Sequence, residues 1–358
     1  MTRHPETPDK SGDVCPYCGR PAPKRRKISP YRRHFTLGII MVLGSIFFLL
    51  WFRNDRITET TAVGPGKYSG LEGTRSAHIL SYIKRPDADS SCEECIKAAG
   101  KDLELKMAEA ERKKYKNMAL IPADIYPVGS PDATGDPDEH PLHHVRLAAF
   151  YMDKYEVTNS RYLEFVKKTK GNEPEWMKPG GRFNTETGKD RYYAKFGKDL
   201  RNGDFPIVGV SWKNADAYCR WAMKRLPTEA EWETAARGGT AARYSFGDND
   251  PQAGEYSWNE TNSGGKPNAA GRKKPNDYGL YDMHGNVWEW VQDFYDRKYY
   301  SAGPKSDPKG PDKGIEHVIR GGSWAFDADS GRSANRASFD KANDDVGFRC
   351  AVTKTRIK

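Results

Sequence analysis

An uncharged apolar run divides this chain into two unequal parts and constrains its fold more than any other feature. Residues 35–52 (FTLGIIMVLGSIFFLLWF) contain no charged side chain, and 18 residues is the lower end of the length that crosses a bilayer as a helix. A cleaved signal peptide and a buried core helix are the alternatives, but the 34 residues before the run are long for a signal peptide. We therefore predict a single-pass transmembrane helix at residues 35–52.

The charges around this run predict its orientation. Residues 1–56 carry eleven Lys and Arg against four Asp and Glu, whereas the whole chain has a net charge of +9. Because basic residues concentrate on the cytoplasmic side of a span, residues 1–34 are predicted to be a basic cytosolic tail, with the C-terminal bulk outside the cytoplasmic (inner) membrane. The excess charge belongs to the tail, so it does not indicate nucleic-acid binding by the main domain.

The tail contains half of a zinc-binding signature, Cys15-Pro-Tyr-Cys18. Tetrahedral zinc needs four ligands. The other C-x-x-C pair, Cys92-Glu-Glu-Cys95, is predicted to lie on the opposite side of the membrane. Cys15 and Cys18 are therefore expected to bind zinc only if a second chain completes the site, and a reduced pair without metal is the alternative.

Residues 53–117 are predicted to form a linker followed by a charged helix. The linker is rich in Gly, Ser, Thr and Pro, and from Cys92 to about Lys116 opposite charges recur at helical spacing. Outside the cytoplasm Cys92 and Cys95 are expected to form a disulfide. A redox-active pair at the helix N-terminus is the alternative.

The remaining residues, 118–358, are predicted to form one domain of the α+β class with much irregular structure. Short apolar runs typical of strands alternate with turns rich in Gly, Pro and Asn. Amphipathic patterns predict helices over residues 159–169 and 212–223. A third helix is predicted from Pro227, since proline suits a first helical turn.

Six motifs in this domain occur in an order that resembles the formylglycine-generating enzyme (sulfatase-modifying factor) superfamily. The resemblance covers roughly residues 118–353 and implies that family's variant of the C-type-lectin fold, with little regular structure and a core of buried aromatic side chains. The motifs lie at residues 140–159, 208–219 (VGVSWKNADAYC), 225–239 (RLPTEAEWETAARGG), 279–290 (GLYDMHGNVWEW), 320–324 (RGGSW) and 347–350 (GFRC).

The resemblance also implies a crosslink and a metal site. Cys219 and Cys350 match positions that form a disulfide in oxidase members, and two buried free thiols are the alternative. Calcium is the implied metal, since carboxylate and carbonyl oxygens are its usual ligands. Without an ion, the two acidic side chains would hydrogen-bond to the turn backbone instead. The implied ligands are the side chains of Asp282 and Glu289 and the carbonyls of Gly285 and Val287.

The cysteines that the oxidase would need are missing from the matching segment. Oxidase members bind copper with two cysteines shortly after the RGGS motif, and Phe326 and Gly331 stand at those positions here. Copper(I) requires soft ligands, which neither residue supplies. The sequence therefore predicts no copper and excludes copper-dependent formylglycine-generating activity.

Two classes of function fit this combination. The favoured hypothesis is a non-catalytic binding or assembly subunit of an envelope complex, anchored in the membrane and partnered by other envelope proteins or by a second copy of itself. The alternative is a cysteine-independent periplasmic tailoring enzyme, in which carboxylates and arginines could do acid–base work. Its candidate pocket residues are Trp324, Asp327, Asp329, Arg332 and Arg336.

Overall fold

The computed structural model describes residues 93–131, 134–248 and 250–354. The predicted span at 35–52 and the cysteines Cys15, Cys18 and Cys92 lie outside these residues, as does the predicted pairing of Cys92 with Cys95. Within the part that is described, no helix has both the length and the apolar character needed to cross a membrane. The chain divides into two compact units, residues 1–114 and 115–358.

The first unit contains helix α1, Glu93–Lys114, within the region where charge spacing predicted a helix. Its 22 residues carry charges on most faces, and Asp102 and Lys106 form an ion pair one turn apart. The last turn ends in Arg112, Lys113 and Lys114, which oppose the negative end of the helix dipole.

In its described residues, the second unit is an α+β domain with three small sheets. One sheet has the order β1-β4-β9, a second pairs β2 with β3, and the largest has the order β7-β6-β5-β8. All pairs are antiparallel except β5 with β8. The strands are β1 Met118–Ile121, β2 Asp124–Val128, β3 His143–Leu147, β4 Phe150–Asp153, β5 Trp288–Phe294, β6 His317–Arg320, β7 Arg336–Phe339, β8 Val346–Gly347 and β9 Ala351–Thr353.

Five α-helices and several short 3-10 helices lie between the strands of this unit as described. The α-helices are α2 Asn159–Thr169, α3 Trp212–Trp221, α4 Glu229–Arg237, α5 Ala253–Tyr256 and α6 Tyr299–Ala302. The 3-10 helices are Pro137–Glu139, Tyr192–Arg201, Asp250–Gln252 and Asp329–Gly331.

Capping residues explain where the three predicted helices begin and end. Helix α2 has the predicted bounds and ends at Lys170, whose backbone is left-handed. The predicted extension of α3 to residue 223 is wrong, because Met223 has φ 59° and cannot continue a helix. Helix α4 starts two residues after Pro227, because Thr228 caps it by bonding the Glu231 backbone N–H while the Glu231 side chain bonds back.

Two aromatic-rich clusters form the core of the domain. The first gathers α2, α3 and the Tyr192–Arg201 3-10 helix around Trp290 and Phe348, and the second packs β1 and β4 against α4. Cys219 of α3 and Cys350 are fully buried in the first cluster and form a disulfide, with Cα atoms 5.7 Å apart. Closing a loop of 131 residues in this way corresponds to about 4–5 kcal/mol in the chain-entropy account of disulfides.

Candidate functional site

The loop after β6 carries both positions at which oxidase relatives were expected to have thiols. Phe326 is 44% exposed, and its ring meets that of Trp288 edge to face at 5.8 Å. Gly331 is buried against backbone, and a Cβ built there would lie 2.4 Å from the carbonyl oxygen of His284. The position therefore has no room for any side chain, cysteine included.

The two arginines of the alternative pocket are held by partners on other segments. Arg332 donates to both oxygens of the buried Glu139 at 2.8 and 2.9 Å. Arg336 forms a bidentate pair with Glu229 of α4 at 2.7 and 2.8 Å, and its guanidinium lies 4.2 Å from the ring centre of Tyr300. Each arginine is thus committed to a buried glutamate.

The two aspartates of that pocket bond mainly within their own loop. Asp327 accepts bonds from the backbone and hydroxyl of Ser330 at 3.0 and 2.9 Å, so it stabilises its own turn. Asp329 is half exposed and pairs with Arg332 at 3.1 Å and with Arg243. Of the predicted set, Asp329 and Arg332 are therefore in contact, whereas the carboxylate that Arg336 binds is Glu229.

The predicted calcium ligands show a mixed fit. Asp282 is buried in a left-handed turn, and one of its oxygens accepts the backbone N–H of Gly271 at 2.6 Å while Oδ1 has no hydrogen-bond partner. Both oxygens of Glu289 are engaged, by the Arg349 guanidinium at 2.6–2.9 Å and by the indole of Trp232 at 2.9 Å. Asp282 can offer an oxygen to a cation, whereas Glu289 would first have to release Arg349.

A third carboxylate that the sequence did not single out lies in the same buried region. Burial raises the pKa of Glu156 well above its usual range, and the charges of Asp282 and Glu289 add to that rise. Burial also raises the pKa of Asp282 to about 6. Arg349 and Lys273 both oppose that rise at Asp282. Among the described residues no group of three or more acidic, histidine or cysteine side chains is arranged to hold a metal ion. Calcium binding at Asp282 and Glu289, with the Gly285 and Val287 carbonyls, stays a prediction.

A further cluster, also missed at the sequence level, surrounds the ammonium group of Lys195. Its Nζ lies 5.0 Å from the ring centre of Tyr192, 5.2 Å from that of Phe196 and 5.2 Å from that of Trp324. We call these three rings the ammonium cage. They come from the Tyr192–Arg201 3-10 helix and from the loop that also carries Phe326.

Two adjacent aspartates lie beside the ammonium cage, and we call them its base: Asp344 contacts Lys195 and Tyr192, and Asp345 interacts electrostatically with both. Asp344 pairs with Lys195 and accepts the hydroxyl of Tyr192 at 2.6 Å. Asp345 accepts the hydroxyl of Ser323 at 3.0 Å through one oxygen. Both aspartates are 5% exposed, and burial raises the pKa of Asp345 to about 6.

Sequence and structure comparisons agree on one family. Residues 104–354 match the model described as the sulfatase-modifying factor enzyme 1-like domain. The chain is 32% identical over 301 residues to a formylglycine-generating enzyme of Streptomyces coelicolor, covering 68% of this chain and 91% of that protein. It is 36% identical over 268 residues to the serine/threonine-protein kinase pkn1 of Chlamydia pneumoniae, where the match spans 68% of this chain but only 40% of the kinase.

A solved structure supports the same assignment. The structure of PvdO from Pseudomonas aeruginosa superposes with a TM-score of 0.56 at 30% sequence identity, covering 66% of this chain and 94% of that one. These relatives include proteins named for different activities, so the shared fold does not by itself fix a function.

Proposed function

This chain belongs to the sulfatase-modifying factor enzyme 1-like family, and from that premise we propose that residues 118–358 are a binding or assembly module without oxidase activity. The observation that carries the proposal is the contact at Gly331. At the position expected for the second thiol, a Cβ would lie 2.4 Å from the His284 carbonyl oxygen, so backbone atoms occupy the space that a side chain would need. The first position holds Phe326, which contributes hydrocarbon surface instead of sulfur.

The ion pairs around Arg332 and Arg336 argue against acid–base catalysis by the alternative pocket. A general base must lie within hydrogen-bond reach of the proton that it removes. The arginines are bound to buried glutamates, and Asp327 is bound within its own turn. These contacts stabilise the fold, so they support binding over tailoring chemistry as the main role.

The remaining parts of the proposal concern location and partners. We propose that the module is held outside the cytoplasmic membrane by the span at residues 35–52, and that its partner is another envelope protein or a second copy of the chain. Phe326 is the residue of the loop after β6 that we propose to dock, because its ring is 44% exposed and burying apolar surface is favourable.

The test is affinity purification of the full chain, tagged and extracted in mild detergent. We expect a partner at a fixed stoichiometry, or a homodimer by light scattering, and we expect Phe326→Ala to lose it. Ile315→Ala is a matched control, because Ile315 is a 90% exposed aliphatic residue outside the loop. Recovery of a monomeric chain alone would contradict the proposal.

A second assay addresses the oxidase chemistry directly. The purified chain, with copper(I) supplied, is incubated with a cysteine-containing peptide, and aldehyde formation is followed by mass spectrometry. We expect none from the natural chain and none from the Phe326→Cys, Gly331→Cys double variant, since the second cysteine cannot be accommodated. Conversion by the natural chain would overturn the proposal.

A further inference from the structure

We propose that the ammonium cage binds a primary ammonium group of a partner, such as a lysine side chain, in the place that Lys195 fills. This inference rests on the proposed binding role and names the chemistry that the module would recognise. Three rings lie within 5.0–5.2 Å of one Nζ, inside the distance of about 6 Å at which aromatic faces attract cations.

The base of the cage has more acceptors than Lys195 satisfies. Oδ1 of Asp345 is buried and has no hydrogen-bond partner among the described residues. The indole N–H of Trp324 is also buried without a partner within that part of the chain. Buried polar atoms in native proteins nearly always have partners. An ammonium group can satisfy the Asp345 oxygen, which accepts, but not the Trp324 N–H, which donates and needs another acceptor.

The charge balance leads to the same conclusion. Asp344 and Asp345 are both buried, and Lys195 forms an ion pair with Asp344 alone. One carboxyl group therefore lacks a cation of its own. A ligand ammonium in the place of Lys195 could bond to Asp345 Oδ1 as well as to Asp344, whereas Lys195 pairs with Asp344 alone.

Lys195 is able to leave the cage. Its side chain is 45% exposed, in contrast to the buried Asp344 that it contacts. The 3-10 helix that carries it is interrupted two residues later at Gly197, where φ is 52° and ψ is −130°. A long, exposed lysine can move its head group into water while its stem stays in place.

The acceptors select a primary ammonium over a quaternary one. Aromatic rings attract both kinds of cation, but only a group with N–H donors can bond to Asp345 Oδ1. The occupant already in the cage is a lysine ammonium, so the rings are spaced for one. A lysine side chain on a protein partner therefore fits this site better than a choline headgroup.

The test measures binding of n-butylammonium, which mimics a lysine side chain, to the full chain in detergent by ligand-observed NMR at constant ionic strength. We expect Lys195→Ala to bind it about tenfold more tightly than the natural chain, because an internal competitor has been removed. Choline should bind more weakly, and neutral n-butanol should not bind. In the Lys195→Ala background, Asp345→Asn should lose the gain.

A matched control separates this effect from a general loss of charge. Lys266 is 40% exposed and pairs with Asp199 on the same 3-10 helix, so Lys266→Ala should leave n-butylammonium binding unchanged. Thermal unfolding of every variant establishes that it is folded. Equal binding of n-butanol and n-butylammonium, or no gain in Lys195→Ala, would overturn the inference.

The outcome is distinguishable from that of the proposed function. If the full chain recovers its partner and Asp345→Asn recovers it equally well, the cage does not recognise the partner while the binding role stands. If no partner is recovered but n-butylammonium binds as expected, the cage is a ligand site and the assembly role is wrong.

Discussion

Two regions of the domain bury carboxylates in different ways. In the first, which we call the carboxylate network, Glu229 and Glu233 of α4 meet Arg237, Arg320 and Arg336. Glu233 is fully buried, yet it accepts bonds from the Gly129 backbone at 2.8 Å, from Arg237 at 2.7 and 3.0 Å and from Arg320 at 2.5 Å. In the second, the base of the ammonium cage, Asp345 has one hydroxyl partner and one unsatisfied oxygen.

The pKa values of Glu233 and Asp345 are shifted in opposite directions. Burial alone would raise the pKa of Glu233, but Arg237 and Arg320 outweigh it and the pKa is lowered. Burial raises the pKa of Asp345 to about 6, Asp344 adds to the rise, and Lys195 opposes it only in part. A buried carboxylate whose oxygens all have hydrogen-bond or ion-pair partners stabilises a fold. One with an oxygen that lacks a partner costs stability and is available to a ligand.

The largest expected effect comes from breaking the carboxylate network. Glu233→Gln leaves Arg237 and Arg320 buried without their shared anion, and removing one partner of a buried ion pair costs about 3–5 kcal/mol. Urea unfolding of the purified chain measures the loss. Glu186→Gln is the control, because Glu186 pairs with Arg201 at the surface and should unfold like the natural chain. A loss of stability no larger than that of Glu186→Gln would mean that the carboxylate network does not stabilise the fold.

The second effect has the opposite sign. Because the folded chain holds a proton on Asp345 up to about pH 6 while the unfolded chain releases it near 3.8, the natural domain loses stability as pH rises between these values. Asp345→Asn removes this cost and should be more stable by about 3 kcal/mol at pH 7, at 1.36 kcal/mol per pKa unit. The gain should shrink as pH falls below about 6 and vanish near pH 3.

Denaturant unfolding at pH 7, 5 and 3 measures this gain. If Asp345→Asn were less stable than the natural chain at pH 7, both oxygens of Asp345 would have partners, as those of Glu233 do, and the contrast between the two regions would be lost. Asp190→Asn is the control, since it makes the same substitution at an aspartate that pairs with the largely exposed Arg182.

Sequence reasoning predicted the parts of the domain that depend on neighbouring residues. The start of α4 close to Pro227, the bounds of α2 and the motif order were predictable because a few adjacent residues determine them. The pairing of Glu289 with Arg349 was not, because the two residues lie 60 positions apart and each also suits other partners. The motif at residues 279–290, which the family resemblance associates with calcium, does not indicate that Arg349 pairs with Glu289.

The ammonium cage was missed for the same reason. Tyr192 and Asp344 are 152 positions apart, and no local pattern relates a Tyr-Tyr-Ala-Lys-Phe segment to an Asp-Asp pair. The one available signal was the adjacent acids Asp344 and Asp345 before the GFRC motif, since two neighbouring carboxyls in a core-forming segment require compensation. The fold, by contrast, was predicted from several short motifs in order, so that prediction did not depend on any single motif.

The third prediction concerns the segment that joins the two regions, from Trp324 in the cage to Arg336 in the network. Gly331→Ala places a methyl group 2.4 Å from the His284 carbonyl oxygen and should cost about 1–3 kcal/mol, as overpacking usually does. Gly254→Ala is the control, because its nearest atom would be 3.6 Å away. If Gly331→Ala were neutral by thermal unfolding, the loop could accept a side chain and the argument against a second thiol would fail.

The smallest expected effect is the rescue of Lys195→Ala by a ligand, and it tests the contrast most directly. The variant leaves the buried Asp344 without its cation, so it should be less stable than the natural chain. Because the emptied cage would then bind n-butylammonium, that ligand at about ten times its Kd should return about 1.4 kcal/mol by mass action. Lys266→Ala should not be rescued. Rescue of both variants, or of neither, would mean that the base of the cage is an ordinary surface ion pair. The ligand should bind selectively where Lys195 was removed only if Asp345 has an oxygen without a hydrogen-bond partner.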